Sequence, residues 1–248
     1  MHINLSTTTQ QLILNENGYR NWHATTTEQQ WNVNQTAILV CDMWDRHWSK
    51  GATERVASMA VRMNEVLKTM RQKGVQILFA PSDTMSFYAD SSARKRLSEL
   101  ELMELPAARL DLTEHRLPID DSDGGSDTED EHEVNSRVWR RQHPLLEIDE
   151  TVDGITDDGR EVYSFLKTKG ISNVIFMGVH TNMCVLNRSF AIKRLVGWGF
   201  NVVLARDLTD AMYNPARPPY VSHEEGTRLV VEYIEKFWCP TIRLDHLT

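Results

Sequence analysis

The chain has 248 residues, of which 41% are hydrophobic and 25% are charged, and its formal net charge is −8. This length and composition are typical of one large globular α/β domain. The negative charge argues against a nucleic-acid partner, which needs a basic face on the protein. No apolar run reaches the roughly 20 residues of a membrane helix, and the start of the chain lacks the basic and apolar regions of a signal peptide.

The predicted elements alternate between strands and helices along the chain. Apolar runs that predict strands are TAILVCDMW, VQILFAP, HPLLEI, NVIFMGV, NVVLARD and PTIRL. Helical spacing is found in TERVASMAVRMNEVLKTMRQKG, residues 91–103, DDGREVYSFLKTKG, NMCVLNRSFAIKRLVGWG and HEEGTRLVVEYIEKFW. This alternation predicts a doubly wound, Rossmann-like α/β domain, with a mostly parallel six-stranded sheet covered by helices on both faces.

Two segments lie outside this pattern. Residues 1–35 form an N-terminal arm before the main domain, residues 36–248, and its apolar run Leu12–Leu14 predicts packing on a neighbouring subunit or over the sheet edge.

Residues around 106–143 form an acidic insertion. Its central part, Asp120–Glu133, resembles a calcium loop in composition but lacks the spacing of one, so we interpret it as a solvated loop.

The three cysteines are too few and too scattered for a disulfide framework or a zinc motif. This usage predicts a cytoplasmic protein, in which each thiol is available for chemistry. Cys41 lies inside an apolar strand and Cys239 near the C-terminus, and both are interpreted as packing residues. The glycines form neither a dinucleotide fingerprint nor a phosphate loop, so no cofactor is expected.

Polar side chains follow the predicted strands at their carboxyl ends, where the ligand crevice of a parallel sheet lies. They are Asp42, Trp44, Asp45 and His47, then Pro81, Ser82 and Asp83, then His180, Thr181 and Cys184, and finally Arg206, Asp207 and Asp210. We therefore expect the chemistry of this protein among these residues, with a small molecule as its substrate.

Cys184 lies where an apolar strand gives way to a predicted helix. With Thr181 or Asn182 as the N-cap, the thiol falls in the first helical turn. The helix dipole and free amides there lower the pKa of a thiol, and the same amides could bind an oxyanion. A small buried residue under the sheet is an equally open interpretation of this position.

Asp42 ends an apolar strand, where a buried carboxylate must be hydrogen-bonded, paired or functional. Beside Cys184 it would act as the general base that takes the thiol proton, and it would need a raised pKa to do so. A capping or loop role is the alternative. Asp42, Asp45 and His47 could instead ligate a divalent metal, although no matching histidine cluster follows them.

The segments AILVCDMWD, GVQILFAPSD and GVHTNMCVLNRSFAIKRLVGWGFNVVLARDLTDA resemble the isochorismatase-like cysteine hydrolases, which include nicotinamidases and N-carbamoylsarcosine amidohydrolases. The resemblance spans about residues 36–236 apart from the acidic insertion. It implies that Cys184 is the nucleophile, that Asp42 is the general base, and that the Val179–His180 peptide bond is cis. It also implies a homo-oligomer, either a dimer or a tetramer.

The lysine of the family's catalytic triad has no counterpart in this chain. By spacing its position falls within Glu147–Asp153, which contains acids and no cation. A thiolate beside Asp42 needs a positive charge to offset the carboxylate, so Arg141, or else Arg140, is the predicted charge partner. The Asp-x-His metal signature of nicotinamidases is also missing from PSDTMSFY, which argues against that activity.

Two functions are compatible with these residues. The first is hydrolysis of an amide-like C–N bond in a small molecule by Cys184 and Asp42. The second is ligand binding or scaffolding by a catalytically impaired member of the same fold. The predicted substrate pocket and oxyanion site comprise Val179, His180, Thr181, Trp44, Asp45 and Tyr88. Further aromatic candidates, which suggest a cavity for a planar group, are His47, Phe87 and Tyr213.

Overall fold

The computed structural model describes residues 1–107 and 115–244. Its strands are β1 His2–Leu14, β2 Arg20–Asn32, β3 Thr36–Cys41, β4 Gln76–Ala80, β5 Gly154–Ile155, β6 Asn173–Val179, β7 Asn201–Asp210 and β8 Thr241–Ile242. Its α-helices are α1 Lys50–Gln72, α2 Ser92–Ser98, α3 Gly159–Thr168, α4 Cys184–Asn187, α5 Ile192–Gly197 and α6 His223–Phe237. In this part of the chain the strands form one sheet in the order β2-β1-β8-β7-β6-β3-β4-β5.

The parallel strands β3 to β8 confirm the predicted doubly wound α/β fold, but the sheet has eight strands rather than six. The N-terminal arm makes the difference, because it folds into the antiparallel hairpin β1–β2. This hairpin joins the sheet edge where Thr8 pairs with Thr241 of β8. The predicted strand HPLLEI turns at Pro144 and Leu145 instead of extending, and the short β5 takes its place in the sheet.

The core lies in two apolar layers on opposite faces of the sheet. On one face α1 buries Val56, Met63 and Leu67 against the strands. On the other face α3 and α6 bury Phe165 and Ile234, respectively. Every residue of β3 and β6 is buried because both faces of these central strands are covered, which explains their continuous apolar runs. None of the described helices combines the length and apolarity needed to cross a membrane.

The ends of β3 and β6 approach each other closely at a glycine. Gly178 pairs with Cys41, its φ is +111°, and a Cβ atom there would lie 2.0 Å from the carbonyl oxygen of Cys41. Only glycine fits this conformation and this spacing. The close approach brings Asp42, which follows β3, beside Val179 and His180, which end β6.

The predicted helix NMCVLNRSFAIKRLVGWG is broken into two short helices. α4 ends after one turn because Arg188 adopts an extended conformation, with φ −58° and ψ 160°. The N-cap of α4 is Met183 rather than Thr181 or Asn182. The Asn182 side chain is engaged elsewhere, since it donates to Asp121 at 2.7 Å and to the Met212 carbonyl at 3.1 Å.

The acidic insertion is packed and paired, in contrast to the predicted solvated loop. Asp120 accepts from Arg217 at 2.7 Å, Asp127 accepts from Arg55 at 2.9 Å, and Asp130 accepts from the Lys50 amide at 2.8 Å. These partners lie on α1 and after β7, far away in sequence, so composition could not show them. Residues 108–114 of the insertion lie outside the described residues.

A buried network joins the insertion to α6. Arg55 donates to both Asp127 and Asp210, at 2.9 Å in each case. Asp210 also lies 2.9 Å from Nε2 of His223, whose Nδ1 lies 3.0 Å from the Tyr213 carbonyl. Burial and Arg55 act to lower the pKa of His223, but the hydrogen bond to Asp210 and its charge outweigh them and raise this pKa above its ordinary value.

We predict that His223 makes stability depend on pH. Because its pKa in the folded protein exceeds that in the unfolded chain, near 6.5, its stabilisation is complete below that pH and is lost as pH rises through the folded value. As the pH rises from about 6.5 to alkaline values, the free energy of unfolding of the wild type should therefore fall relative to that of His223→Gln. Urea unfolding across this range measures the difference. The exposed His132→Gln is the matched control, and parallel curves for wild type and His223→Gln would contradict the prediction.

Candidate active site

Asp42 is fully buried at the carboxyl end of β3. Its Oδ1 accepts the backbone N–H of Ser82 at 2.7 Å, and its Oδ2 accepts Nε of Arg188 at 2.9 Å. Its φ of +48° is uncommon for a residue other than glycine and turns the chain sharply out of the strand. The carboxylate is thus held from two sides, by the segment after β4 and by the segment after α4.

The thiol of Cys184 is half-buried at the start of α4. It lies beside Asp42, whose charge raises the pKa of the thiol, and near the backbone N–H of His180, which lowers that pKa. The peptide bond between Val179 and His180 is cis, as the family resemblance implied. The structure therefore brings together the predicted nucleophile and general base, with the cis peptide beside them.

The pKa of Cys184 is raised, whereas the helix position predicted that it would be lowered. Burial is the largest cause and the charge of Asp42 the next, and both outweigh the charge of Arg188 and the His180 amide, which lower it. A helix of one turn whose cap has no side-chain hydrogen bond gives little compensation. Burial also raises the pKa of Asp42, while Arg188 and the hydrogen bonds from Cys184 and Ser82 lower it.

Arg188 is the cation that contacts Asp42, and the sequence analysis did not single it out. Its position four residues after Cys184, with its amide donating to the Cys184 carbonyl at 3.1 Å, places it beside the thiol. That spacing was the available signal, since residues i and i+4 share a helix face. Arg140 and Arg141, the predicted charge partners, instead donate their backbone amides to Asp45. The guanidinium of Arg141 lies 5.5 Å from the centre of the Phe87 ring.

The acids of Glu147–Asp153, the segment in which the triad lysine was expected, have other partners. Glu147 pairs with Lys68 at 2.7 Å, and Asp153 pairs with Arg71 at 2.7 Å, both on α1. Asp149 accepts from the amide of Thr151 within its own turn. These carboxylates therefore bind the segment to α1, and Asp42 is the acid that interacts with Cys184.

An aromatic cluster lies beside Cys184, the predicted nucleophile. The Trp44 ring stacks on Trp139 of the insertion, with centroids 4.2 Å apart, and the Arg188 guanidinium lies 5.9 Å from the Trp44 ring. His47 lies parallel to Trp139 at 5.9 Å and 4.9 Å from the ring of His180. Trp139 and Met183, the residue before Cys184, both pack against the buried cluster that contains Trp48 and Met212. Sequence reasoning missed Trp139 because nothing in the insertion indicates that it folds back onto the strand ends.

The other predicted pocket residues lie at different depths around this cluster. Tyr88 is buried, and its hydroxyl accepts the backbone N–H of Gln142 at 2.8 Å; burial raises the pKa of Tyr88 to about 12. Thr181 is buried and its hydroxyl lies 2.7 Å from that of Thr209. Phe87 is exposed, and Tyr213 packs against Gly226 of α6.

The suggested metal ligands have separate partners. Nδ1 of His47 accepts the Ser49 amide at 3.1 Å, Asp45 accepts from the Arg140 amide at 3.0 Å, and Asp42 pairs with Arg188. Burial lowers the pKa of His47 to about 4. Within residues 1–107 and 115–244, no three His, Cys, Asp or Glu side chains are arranged to hold a metal ion.

Comparisons with known proteins show the fold. No family model matches the chain, and neither does any curated protein. A cysteine hydrolase from Pseudomonas syringae pv. phaseolicola 1448A is 14% identical with a TM-score of 0.55, over 88% of this chain and 92% of that chain. A candidate isochorismatase from Burkholderia xenovorans LB400 is 14% identical with a TM-score of 0.51, over 87% and 86%. At such identities the likeness concerns architecture, and the chain has the fold of the isochorismatase-like cysteine hydrolases.

Proposed function

We propose that this protein hydrolyses an amide-like C–N bond of a small molecule, with Cys184 as the nucleophile and Asp42 as the general base. The observation that carries the proposal is that the Cys184 thiol lies beside a buried carboxylate, whose charge raises the pKa of the thiol and which is itself paired with Arg188. Nucleophile and base within hydrogen-bond reach, with the base oriented by a third group, are the signature of nucleophilic catalysis.

In the resting site the thiol keeps its proton, because burial and Asp42 both raise its pKa. When a carbonyl substrate binds, Asp42 takes that proton, the sulfur attacks the carbonyl carbon and an S–C bond forms. The C–N bond then breaks, and the proton passes from Asp42 to the leaving nitrogen. Water attacks the thioester, which releases the acid and restores the thiol. Arg188 supports the site throughout, because its charge offsets the anion that each step leaves beside it.

The oxyanion of this reaction needs amide donors near the sulfur. The amides of Thr181 and Met183 already donate to the carbonyls of Asp210 and His180, at 2.8 and 2.9 Å. Among the described residues the amide of Cys184 donates to no main-chain oxygen, and the amide of His180 faces the sulfur. These two amides are therefore our candidates for the oxyanion site, which modifies the predicted set of Val179, His180 and Thr181.

The alternative of an impaired member of the fold depended on the missing triad lysine. Arg188 removes that reason, because it supplies a cation to Asp42 from a different element. No metal is needed in the proposed steps. A cytoplasmic location, based on the three free cysteines, stays a prediction.

We predict that Cys184→Ser lowers kcat at least about 10³-fold on any amide or carbamoyl compound that the wild type hydrolyses, because the covalent step is lost. Cys41→Ser is the matched control, since Cys41 is buried beside the same carboxylate but ends β3 within the core. It should retain most of the activity. A compound panel assayed by release of amine measures both variants, and a wild-type rate in Cys184→Ser would reject Cys184 as the nucleophile.

We predict that Arg188→Gln lowers kcat/KM at neutral pH roughly 10- to 100-fold and moves the acid limb of its pH profile upward. The limb moves because Arg188 holds the pKa of Asp42 down against burial, and the base must be ionised. Arg188→Lys keeps the charge and should stay closer to the wild-type limb, although it cannot reproduce the guanidinium geometry. An acid limb that is identical in wild type and Arg188→Gln would contradict this role.

We also propose that the protein is a homo-oligomer, a dimer or a tetramer, assembled through the N-terminal hairpin. β2 is the last strand of the sheet on its side, and Leu14 is 65% exposed on β1. Leu12 pairs with Trp22 across the hairpin, so the exposed Leu12, Leu14 and Trp22 share one face. An exposed edge strand beside an apolar face is a template for pairing with another chain.

We predict that the double variant Leu12→Glu and Leu14→Glu is a monomer at micromolar concentration, whereas the wild type is a larger species. Burying two new carboxylates in an interface without partners is unfavourable. Val61→Glu, at an exposed position on α1, is the control and should leave the size unchanged. Light scattering measures all three. A monomeric wild type, or a double variant of wild-type size, would be incompatible with assembly through the hairpin.

A further inference from the structure

The site contains buried polar atoms that have no hydrogen-bond partner among the described residues. They are Nε2 and Oε1 of Gln142, Nε2 of His180 and Nε1 of Trp139. Gln142 is 1% exposed and His180 is 2% exposed, so water does not freely reach them. Buried polar groups are nearly always paired in native proteins, and each unpaired one is costly. Four of the eight such atoms among the described residues belong to these three side chains, which favours a ligand that completes their hydrogen bonds.

These atoms lie around the nucleophile rather than at random in the core. The His180 carbonyl accepts the amide of Val185, the residue after Cys184, at 3.2 Å, and the His180 ring contacts His47, which lies parallel to Trp139. Gln142 forms an isolated antiparallel bridge with Trp44. Paired residues of such a bridge project to the same side, so the Gln142 side chain lies along Trp44. The Trp44–Trp139 stack therefore connects the unpaired atoms into one wall.

We propose that this wall, formed by Gln142 and Trp139 of the insertion together with His180, determines substrate specificity and selects an uncharged planar substrate with both an N–H donor and a carbonyl acceptor. The inference rests on the proposed function of the same site. Gln142 offers one donor and one acceptor, Trp139 offers a donor, and the stacked indoles offer a flat apolar surface.

The charges around the wall favour an uncharged ligand. Asp42 and Arg188 neutralise each other as an ion pair. Burial holds the pKa of His180 well below its ordinary value and that of His47 at about 4, so both imidazoles are neutral near pH 7. A ligand carboxylate would be repelled by the Gln142 carbonyl oxygen, and none of the three side chains of the wall carries a positive charge to pair with it. Burial of such an unpaired charge is far more costly than burial of a hydrogen-bonded amide.

The test uses benzamide and benzoate, which share a planar ring and differ in charge, and it measures binding rather than turnover. All proteins carry Cys184→Ala, so hydrolysis cannot interfere. Dissociation constants from NMR titration are compared for this parent, for Gln142→Leu and for Trp139→Phe, which keeps the ring and removes the N–H. Gln76→Leu is the matched control, because the Gln76 amide is fully engaged with the carbonyls of Ile77 and Val152 outside the site.

The parent should bind benzamide at least about tenfold more tightly than benzoate. Gln142→Leu and Trp139→Phe should each weaken benzamide binding about three- to tenfold, the worth of a hydrogen bond, with no comparable effect on benzoate. Gln76→Leu should leave both constants unchanged. The proposal would be overturned if benzoate binds as tightly as benzamide or more tightly, or if benzamide binding is undetectable. It would also be overturned if Gln142→Leu and Trp139→Phe leave the dissociation constant of benzamide unchanged.

A second readout separates recognition from structure. Without ligand, Gln142→Leu should not lower Tm, because it removes two unpaired polar atoms, whereas Gln76→Leu should lower it, because it removes two hydrogen bonds. A lower Tm for Gln142→Leu would show a structural role instead. Binding is measured in proteins that lack the nucleophile, so it does not depend on hydrolysis. If the predicted binding pattern is found but the wild type hydrolyses no compound, the proposed function is rejected and the proposal for the wall is retained. Hydrolysis without this pattern would reject the wall alone.

Discussion

The carboxylate of Asp42 is the constraint on which the site depends. A fully buried carboxylate is expensive unless it is paired and hydrogen-bonded, and this one is bonded to Arg188 and to the Ser82 amide and lies beside the Cys184 thiol. Each partner comes from a different segment of chain. The close approach at Gly178 and the extended backbone at Arg188 are the local features that let these segments converge on one oxygen pair.

In the proposed function, the thiol of Cys184 is protonated at rest. The helix dipole of a single turn cannot outweigh burial and an adjacent carboxylate, both of which raise the pKa of the thiol, so Cys184 keeps its proton. The insertion stabilises the same region. Asp121 fixes Asn182 in the turn before the nucleophile, and Asp127 shares Arg55 with Asp210, whose carbonyl accepts the Thr181 amide. The acidic insertion therefore stabilises residues 181–184, the segment that leads to Cys184.

The sequence predicted those features that local patterns encode. Buried strands appear as continuous apolar runs, so β3 and β6 and the residues at their ends, Asp42 and Cys184, were identified correctly as neighbours. The helical period continues through residues 188–191, so the break that turns Arg188 toward Asp42 was invisible. Trp139 and the pairing of the N-terminal hairpin depend on contacts across long sequence separations, which no local period reports. The acidic insertion was predicted to be a solvated loop because its partners also lie far away in sequence.

The proposed chemistry depends on the coupling between Asp42 and Cys184. The most direct test is the rate of alkylation of Cys184 against pH, mapped by mass spectrometry, in the wild type and in Asp42→Asn. If the carboxylate holds the proton on the thiol, the wild type is alkylated only at alkaline pH, and the midpoint in Asp42→Asn moves to lower pH because a negative charge has been removed. A midpoint that is unchanged, or that moves upward, would show that the two groups do not share a proton.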